Sequence, residues 1–224
     1  MGNIKILSLS LETTKGGADL AGKRIAKVLK ENFNILYKKI RSNFSGKIKY
    51  FCSRLLNRIF LGKTKYLNSL NIFSRINLDE QNADLIHINW IGQESISLND
   101  LINTKKPILW TIHDLWPITS TEHFLDDEKS KKYSYKNIKN NFLKKIIFDK
   151  KKKLFLKKNL FLVSNSKWIE NFARKSDLTK HINISTIYNP IDHKLWFRKR
   201  RSISLKNLNL EKNKTYILYG AFGG

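Results

Sequence analysis

The alternation of short apolar runs with longer amphipathic or basic stretches constrains this chain more than any other feature. Residues 4–11 read as a first strand with one fully apolar face. The loop Glu12-Thr13-Thr14-Lys15-Gly16-Gly17 follows, and then a helix over about residues 18–31 with Leu20, Ile25, Val28 and Leu29 on one stripe. Further strands read over 34–37, 83–90 (ADLIHINW), 107–112, 160–163 and 182–188. Helical stretches read over roughly 134–158 and 167–174. Strands alternating with helices predict the α/β class: a doubly wound, mostly parallel, Rossmann-like sheet with helices on both faces.

A polar stretch at 198–214 leads to one more apolar run at 215–219. The expected organisation is a Rossmann-like domain over 1–188, a linker over 189–214, and the first strand of a second domain in 215–224. At 224 residues with an apolar fraction of 41%, the chain can bury one substantial core.

In parallel α/β sheets ligands bind beyond the carboxyl ends of the strands. Gly16-Gly17, the end of the His87 strand and His113-Asp114 all fall on that edge. Gly16-Gly17 would let backbone approach a ligand, with a helix N-terminus behind it that favours negative charge; a tight turn uses the same glycines. His113 closes a core strand in PILWTIHDLWP, where an imidazole can donate to or accept from a hydroxyl near neutral pH. Asp114 and Trp116 would shape the pocket, with Trp116 offering a flat surface of the kind sugar rings stack on. A His–Asp hydrogen bond closing a loop is the structural alternative. His87, inside a strand, reads either as a ligand contact or as a hydrogen-bonded core residue. No Ser-His-Asp order, HExxH or paired-carboxylate motif supports hydrolysis.

Cys52 is the only cysteine, which excludes an intrachain disulfide and a cysteine-based zinc site, and no metal is expected. No apolar run reaches the roughly 20 residues needed to span a bilayer. The N-terminus lacks a signal-peptide pattern, so a cytoplasmic location is expected.

These pieces, in this order, carry a resemblance. Gly16-Gly17-Ala18 after the first strand, ADLIHINW, KPILWTIHDLWPITSTEHF, VSNSKWIENFARKS and IYNPIDHKLWF resemble the N-terminal, acceptor-side domain of bacterial family 4 glycosyltransferases of the GT-B fold. The nearest subgroup acts in exopolysaccharide or lipopolysaccharide assembly. The resemblance implies retaining transfer of a sugar from a nucleotide-sugar donor to a glycan or lipid-linked acceptor, without a cofactor. It implies a loop at Gly16-Gly17 facing the diphosphate, and His113 beside the transferred sugar as the catalytic residue. Gly16, Gly17, His87, Asp114 and Trp116 would then bind substrate, and 189–197 would be the interdomain linker. Two departures stand out. Where many subgroup members carry Gly-Gly-Cys-His, this chain has Ser120-Thr121-Glu122-His123. The E-x7-E pair of the donor-binding domain is also absent, so the chain reads as truncated before that domain, itself about 150 residues. A non-catalytic remnant, or a module needing a donor-domain partner, is the alternative.

Charge adds a partner class. Lys and Arg number 43 against 18 Asp and Glu, a net charge of +25. Such an excess attracts polyanions, although A/T-rich codons for Lys, Asn and Ile supply a second source for it. Residues 38–66 interleave nine basic residues with apolar ones and contain no acid. Ile48, Phe51, Leu55 and Ile59 share one helical face, which suits either packing on the sheet or contact with an anionic membrane surface, at the inner face of the plasma membrane. Nucleic-acid binding is the rival use, and no RNP, KH or zinc-finger pattern supports it.

Overall fold

A computed structural model describes residues 4–11, 16–40, 44–61, 70–73, 75–125, 138 and 140–218. The chain divides into two units, Met1–Pro190 and Ile191–Gly224. The first holds a single sheet built from β1 (Lys5–Leu11), β2 (Asn34–Ile40), β3 (Leu85–Ile88), β4 (Ile108–Ile112), β5 (Leu160–Ser164) and β6 (Ile184–Thr186). The strand order is β2-β1-β3-β4-β5-β6, and every pair is parallel. The helices between strands are α1 (Gly17–Leu29), α2 (Phe44–Leu61), α3 (Leu98–Asn103), α4 (Phe142–Phe155) and α5 (Lys167–Lys175).

The central strands β1 and β3 are buried on both faces, as parallel strands are, whereas Leu36 of β2 and Phe161 of β5 are exposed. On β1, Leu7 and Leu9 enter the main apolar core while Ser8 and Ser10 are buried on the opposite side. That core also takes Ile86, Ile88, Trp110 and Ile112 from the central strands, and Leu143, Ile147 and Leu154 from α4.

Two helices sit differently from what their sequence patterns predict. The expected stripe of α1 fails: Leu20 and Val28 are about half exposed, and Ala21, Gly22 and Ala26 are buried instead. The reason is close approach. A Cβ on Gly22 would lie 2.9 Å from Cγ of Asn89, so only small residues fit on that side of the helix. In α2 the apolar row faces outward, with Phe44, Ile48, Phe51, Leu55 and Ile59 exposed and Ser53 and Asn57 buried.

In the second unit, the stretch expected to be plain linker contains α6 (Arg201–Asn207). Arg201 Nη2 donates to the Lys214 carbonyl at 2.7 Å, holding the following loop against that helix. Over 215–218, within the strand expected at 215–219, no strand pairs with this stretch among the described residues, and Ile217 and Leu218 are almost fully exposed. Residues 219–224 lie outside the described residues.

Candidate functional site

In the order β2-β1-β3-β4-β5-β6 the connections reverse direction between β1 and β3. The chain leaves β1 to one side and passes the strands after β2 to the other, which makes the carboxyl end of this pair the place where sheets of this kind bind ligands. Leu11 N donates to the Trp90 carbonyl at 2.8 Å and Asn89 N to the Leu9 carbonyl at 3.0 Å, so the ends of β1 and β3 are tied together at this edge. β4, which ends at Ile112 with His113 next, lies beside β3.

Residues 12–15 of the first loop lie outside the described residues; Gly16 and Gly17 follow. Gly16 caps α1 with φ −80° and ψ 128°, an extended conformation open to any residue. A Cβ on Gly17 would meet no atom of the described residues within 4 Å. Backbone strain does not account for Gly16, nor contact with the described residues for Gly17; the two glycines stand at the N-terminus of a 13-residue helix, whose first N–H groups have no intrahelical acceptor. Asp19 in the first turn is buried and turned aside. Its carboxylate accepts from Tyr37 Oη at 2.7 Å and pairs with Lys23 Nζ at 3.0 Å, and burial together with this partner raises the Tyr37 pKa.

His113 is mostly buried, and its Nε2 has no hydrogen-bond partner among the described residues. Burial lowers its pKa to about 4, against an opposing pull from the Asp114 carboxylate. At neutral pH the ring is therefore uncharged, able to offer one nitrogen as donor or acceptor.

The Asp114 carboxylate is taken up by donors of the protein itself. Oδ2 accepts from Trp90 Nε1 at 3.1 Å and from His123 Nδ1 at 2.7 Å, and Oδ1 accepts from Trp116 N at 3.0 Å. One carboxylate thus joins the end of β3 to both sides of the 113–123 loop. The Trp90 ring lies over Gly92, where a Cβ would come within 2.4 Å of it.

Trp116 is 2% exposed, which corrects its expected role: it has no free face for a sugar. The Lys151 ammonium sits 3.7 Å from its ring centroid, and His123 stacks on it with planes inclined by 20°. Lys151 is fully buried and donates to the carbonyls of Trp116, Thr119 (3.0 Å) and Ser120 (2.8 Å). Burial pushes its pKa down, while the carboxylates of Glu122 and Asp114 act to raise it. Glu122 pairs with Lys144 at 2.5 Å, and Ser176 Oγ donates to the Ile118 carbonyl at 2.8 Å. The loop after His113 is therefore cross-bonded at many points, while His123 Nε2, like His113 Nε2, has no hydrogen-bond partner among the described residues.

His87 is likewise corrected from ligand contact to core bridge. It is 1% exposed; Nδ1 is 3.1 Å from Ser8 Oγ and Nε2 is 2.9 Å from Thr111 Oγ1. Burial, and secondarily His113, lower its pKa to about 4. Both nitrogens are occupied, one by β1 and one by β4.

Several residues escaped the sequence reading. Trp90, His123 and Lys151 build the loop, and Glu170 fixes the β5–β6 end of the same edge. Glu170 accepts from Lys167 (2.8 Å), Thr186 and Arg174 (2.7 Å), which hold its pKa at about 2.

Fold and edge define a class: a doubly wound parallel α/β domain with its topological switch point between β1 and β3. No family model matches the chain, and no curated protein matches it. Among solved structures, the crystal structure of Anabaena Alr3699/HepE in complex with UDP-glucose is similar at 16% identity and a TM-score of 0.40, covering 92% of this chain and 50% of that one. The crystal structure of the same protein in complex with UDP and glucose gives 17% identity and a TM-score of 0.41 over the same shares. The chain thus spans about half the length of these neighbours.

Proposed function

We propose that this chain is the acceptor-side domain of a retaining, nucleotide-sugar-dependent glycosyltransferase of the family 4, GT-B type. The reaction moves a sugar to a glycan or lipid-linked acceptor in surface polysaccharide synthesis, with the donor held by a separate donor-binding half. The observation that carries this reading is the neutral imidazole of His113, with a buried Nε2 lacking a partner among the described residues, on a loop that Asp114 and Lys151 immobilise. A ring held this way can bond a sugar hydroxyl without contributing a charge. Gly16-Gly17 leaves room for the donor diphosphate at the α1 N-terminus, where N–H groups stabilise negative charge as it develops on the leaving group.

The protein would act mainly by positioning. His113 orients the transferred sugar, Gly17 admits the diphosphate, and Asp114 and Trp116 act through the loop rather than by touching substrate. No metal enters this scheme.

The test needs the chain joined or mixed with its donor-binding half. Losing one hydrogen bond of about 1.4 kcal/mol costs tenfold, so His113→Ala should lower kcat about tenfold or more with an unchanged unfolding curve. Gly17→Ala, which fits the free protein without a clash, should weaken donor binding and leave stability intact. Wild-type turnover in His113→Ala would assign that residue a structural role and sink the reading.

A further inference from the structure

The helix α2 breaks the rule that an amphipathic helix turns its apolar side inward. At about 100° per residue, Phe44, Ile48, Phe51, Leu55 and Ile59 fall within an arc of about 80°. All five are exposed, from 48% for Leu55 to 80% for Phe44. Ser53 and Asn57 lie on the opposite side and are buried, and neither Asn57 side-chain atom has a hydrogen-bond partner among the described residues. The orientation is anchored at the helix's end, where Asn141 Nδ2 donates to the Phe60 carbonyl at 2.8 Å and Leu56 and Leu61 pack against the core.

Charge says what the outward row suits. Lys47, Arg54 and Arg58 are exposed and flank one side of the stripe by the same helical geometry. From Asn32 to Leu78 the chain has no acidic residue. No described helix is long and apolar enough to cross a membrane, and α2 carries too many cations to do so. An apolar stripe bordered by cations on a helix of 18 residues has the form that lies in the plane of a lipid headgroup layer.

We infer that α2 is a docking face for an anionic phospholipid bilayer: its five apolar side chains enter the acyl boundary while Lys47, Arg54 and Arg58 bind lipid phosphates. This goes beyond sugar transfer and does not depend on it, since a bilayer can hold a chain that transfers nothing. The chain leaves β2 at Ile40, on the carboxyl edge of the sheet, and α2 begins at Phe44, so the docked helix starts from that edge.

The experiment uses the whole chain with vesicles of phosphatidylcholine alone or mixed with phosphatidylglycerol. Cys52, the only cysteine, is exposed on α2 and accepts an environment-sensitive fluorophore. The expected result is co-flotation with the mixed vesicles and a blue shift of the label. Replacing Lys47, Arg54 and Arg58 by Gln should weaken partitioning by about a hundredfold, at the affinity each basic residue adds near an anionic surface. Phe51→Gln with Ile59→Gln, which changes no charge and exposes no core, should abolish the blue shift while circular dichroism stays native. Equal uptake by neutral vesicles, no uptake at all, or wild-type insertion by the double Gln variant would overturn the inference. So would a dimer in sedimentation velocity that the double Gln variant splits without any vesicle binding, because α2 would then be a self-interface.

Discussion

Replacing Lys151 by Met tests the loop architecture directly. The ammonium is fully buried, donates to three backbone carbonyls and lies against the Trp116 ring. Methionine keeps the stem volume and removes all four interactions. Three carbonyls left without a donor lose about 1–2 kcal/mol each, and a desolvated cation–π contact adds about 2 kcal/mol. The gross loss is therefore about 5–8 kcal/mol, and several kcal/mol return because an ion no longer has to be dehydrated. The expected net destabilisation is about 3 kcal/mol, or roughly a 6–12 °C fall in Tm for a chain of this size. Urea titration followed by tryptophan fluorescence and near-ultraviolet circular dichroism measures it, since Trp110 and Trp116 pack at the site. Lys151→Arg should fall between the two, keeping the charge in a shape that cannot reach all three carbonyls. A Lys151→Met protein within about 0.5 kcal/mol of wild type would refute the reasoning, leaving the surroundings of Lys151 as packing alone.

Two further outcomes follow from buried groups. The folded pKa of His87 is about 4 against an ordinary 6.5, so below pH 6.5 the unfolded chain binds the proton that the folded chain refuses. Stability should then decline as pH falls from 6.5 towards 4, by up to about 3 kcal/mol from this residue, and His87→Gln should flatten that slope in acid-unfolding curves. Glu94, with φ 58°, accepts from the backbone N–H groups of Asn71, Ile72 and Phe73 at 2.7–2.9 Å. Glu94→Gln exchanges one acceptor oxygen for a donor that faces donors, and should cost about 2 kcal/mol by chemical denaturation, with no effect on α2 or its lipid binding.

The sheet was legible because parallel strands buried on both faces are written as nearly continuous apolar runs, and each of the six first-unit strands falls within or overlaps such a run. Facing was not legible. A tryptophan after a strand looks the same in sequence whether its ring meets solvent or Lys151, so the pattern around Trp116 suggests a platform that the fold does not provide. The stripe of α2 has a helical period, but period alone does not say whether the stripe turns in or out. Lys151 was hidden in a run of four lysines that reads as solvated. Its spacing was the available signal: it follows buried Ile147 by four residues and precedes buried Leu154 and Phe155 by three and four. The Asp114–Trp90 bond spans 24 residues and depends on which strands pair, which no local pattern specifies.

That bond also dictates when the site can exist. Asp114 gathers donors from the end of β3, from its own turn and from His123 nine residues on, and Lys151 seals the same loop from 35 residues beyond Trp116. Apart from the local turn bond from Trp116 N, these bonds join residues well apart in sequence, so the loop cannot be completed before β3, β4 and α4 have met. Amide exchange in the loop around Trp116 should therefore require opening on the scale of the whole sheet, and the candidate site inherits the full cooperativity of the fold.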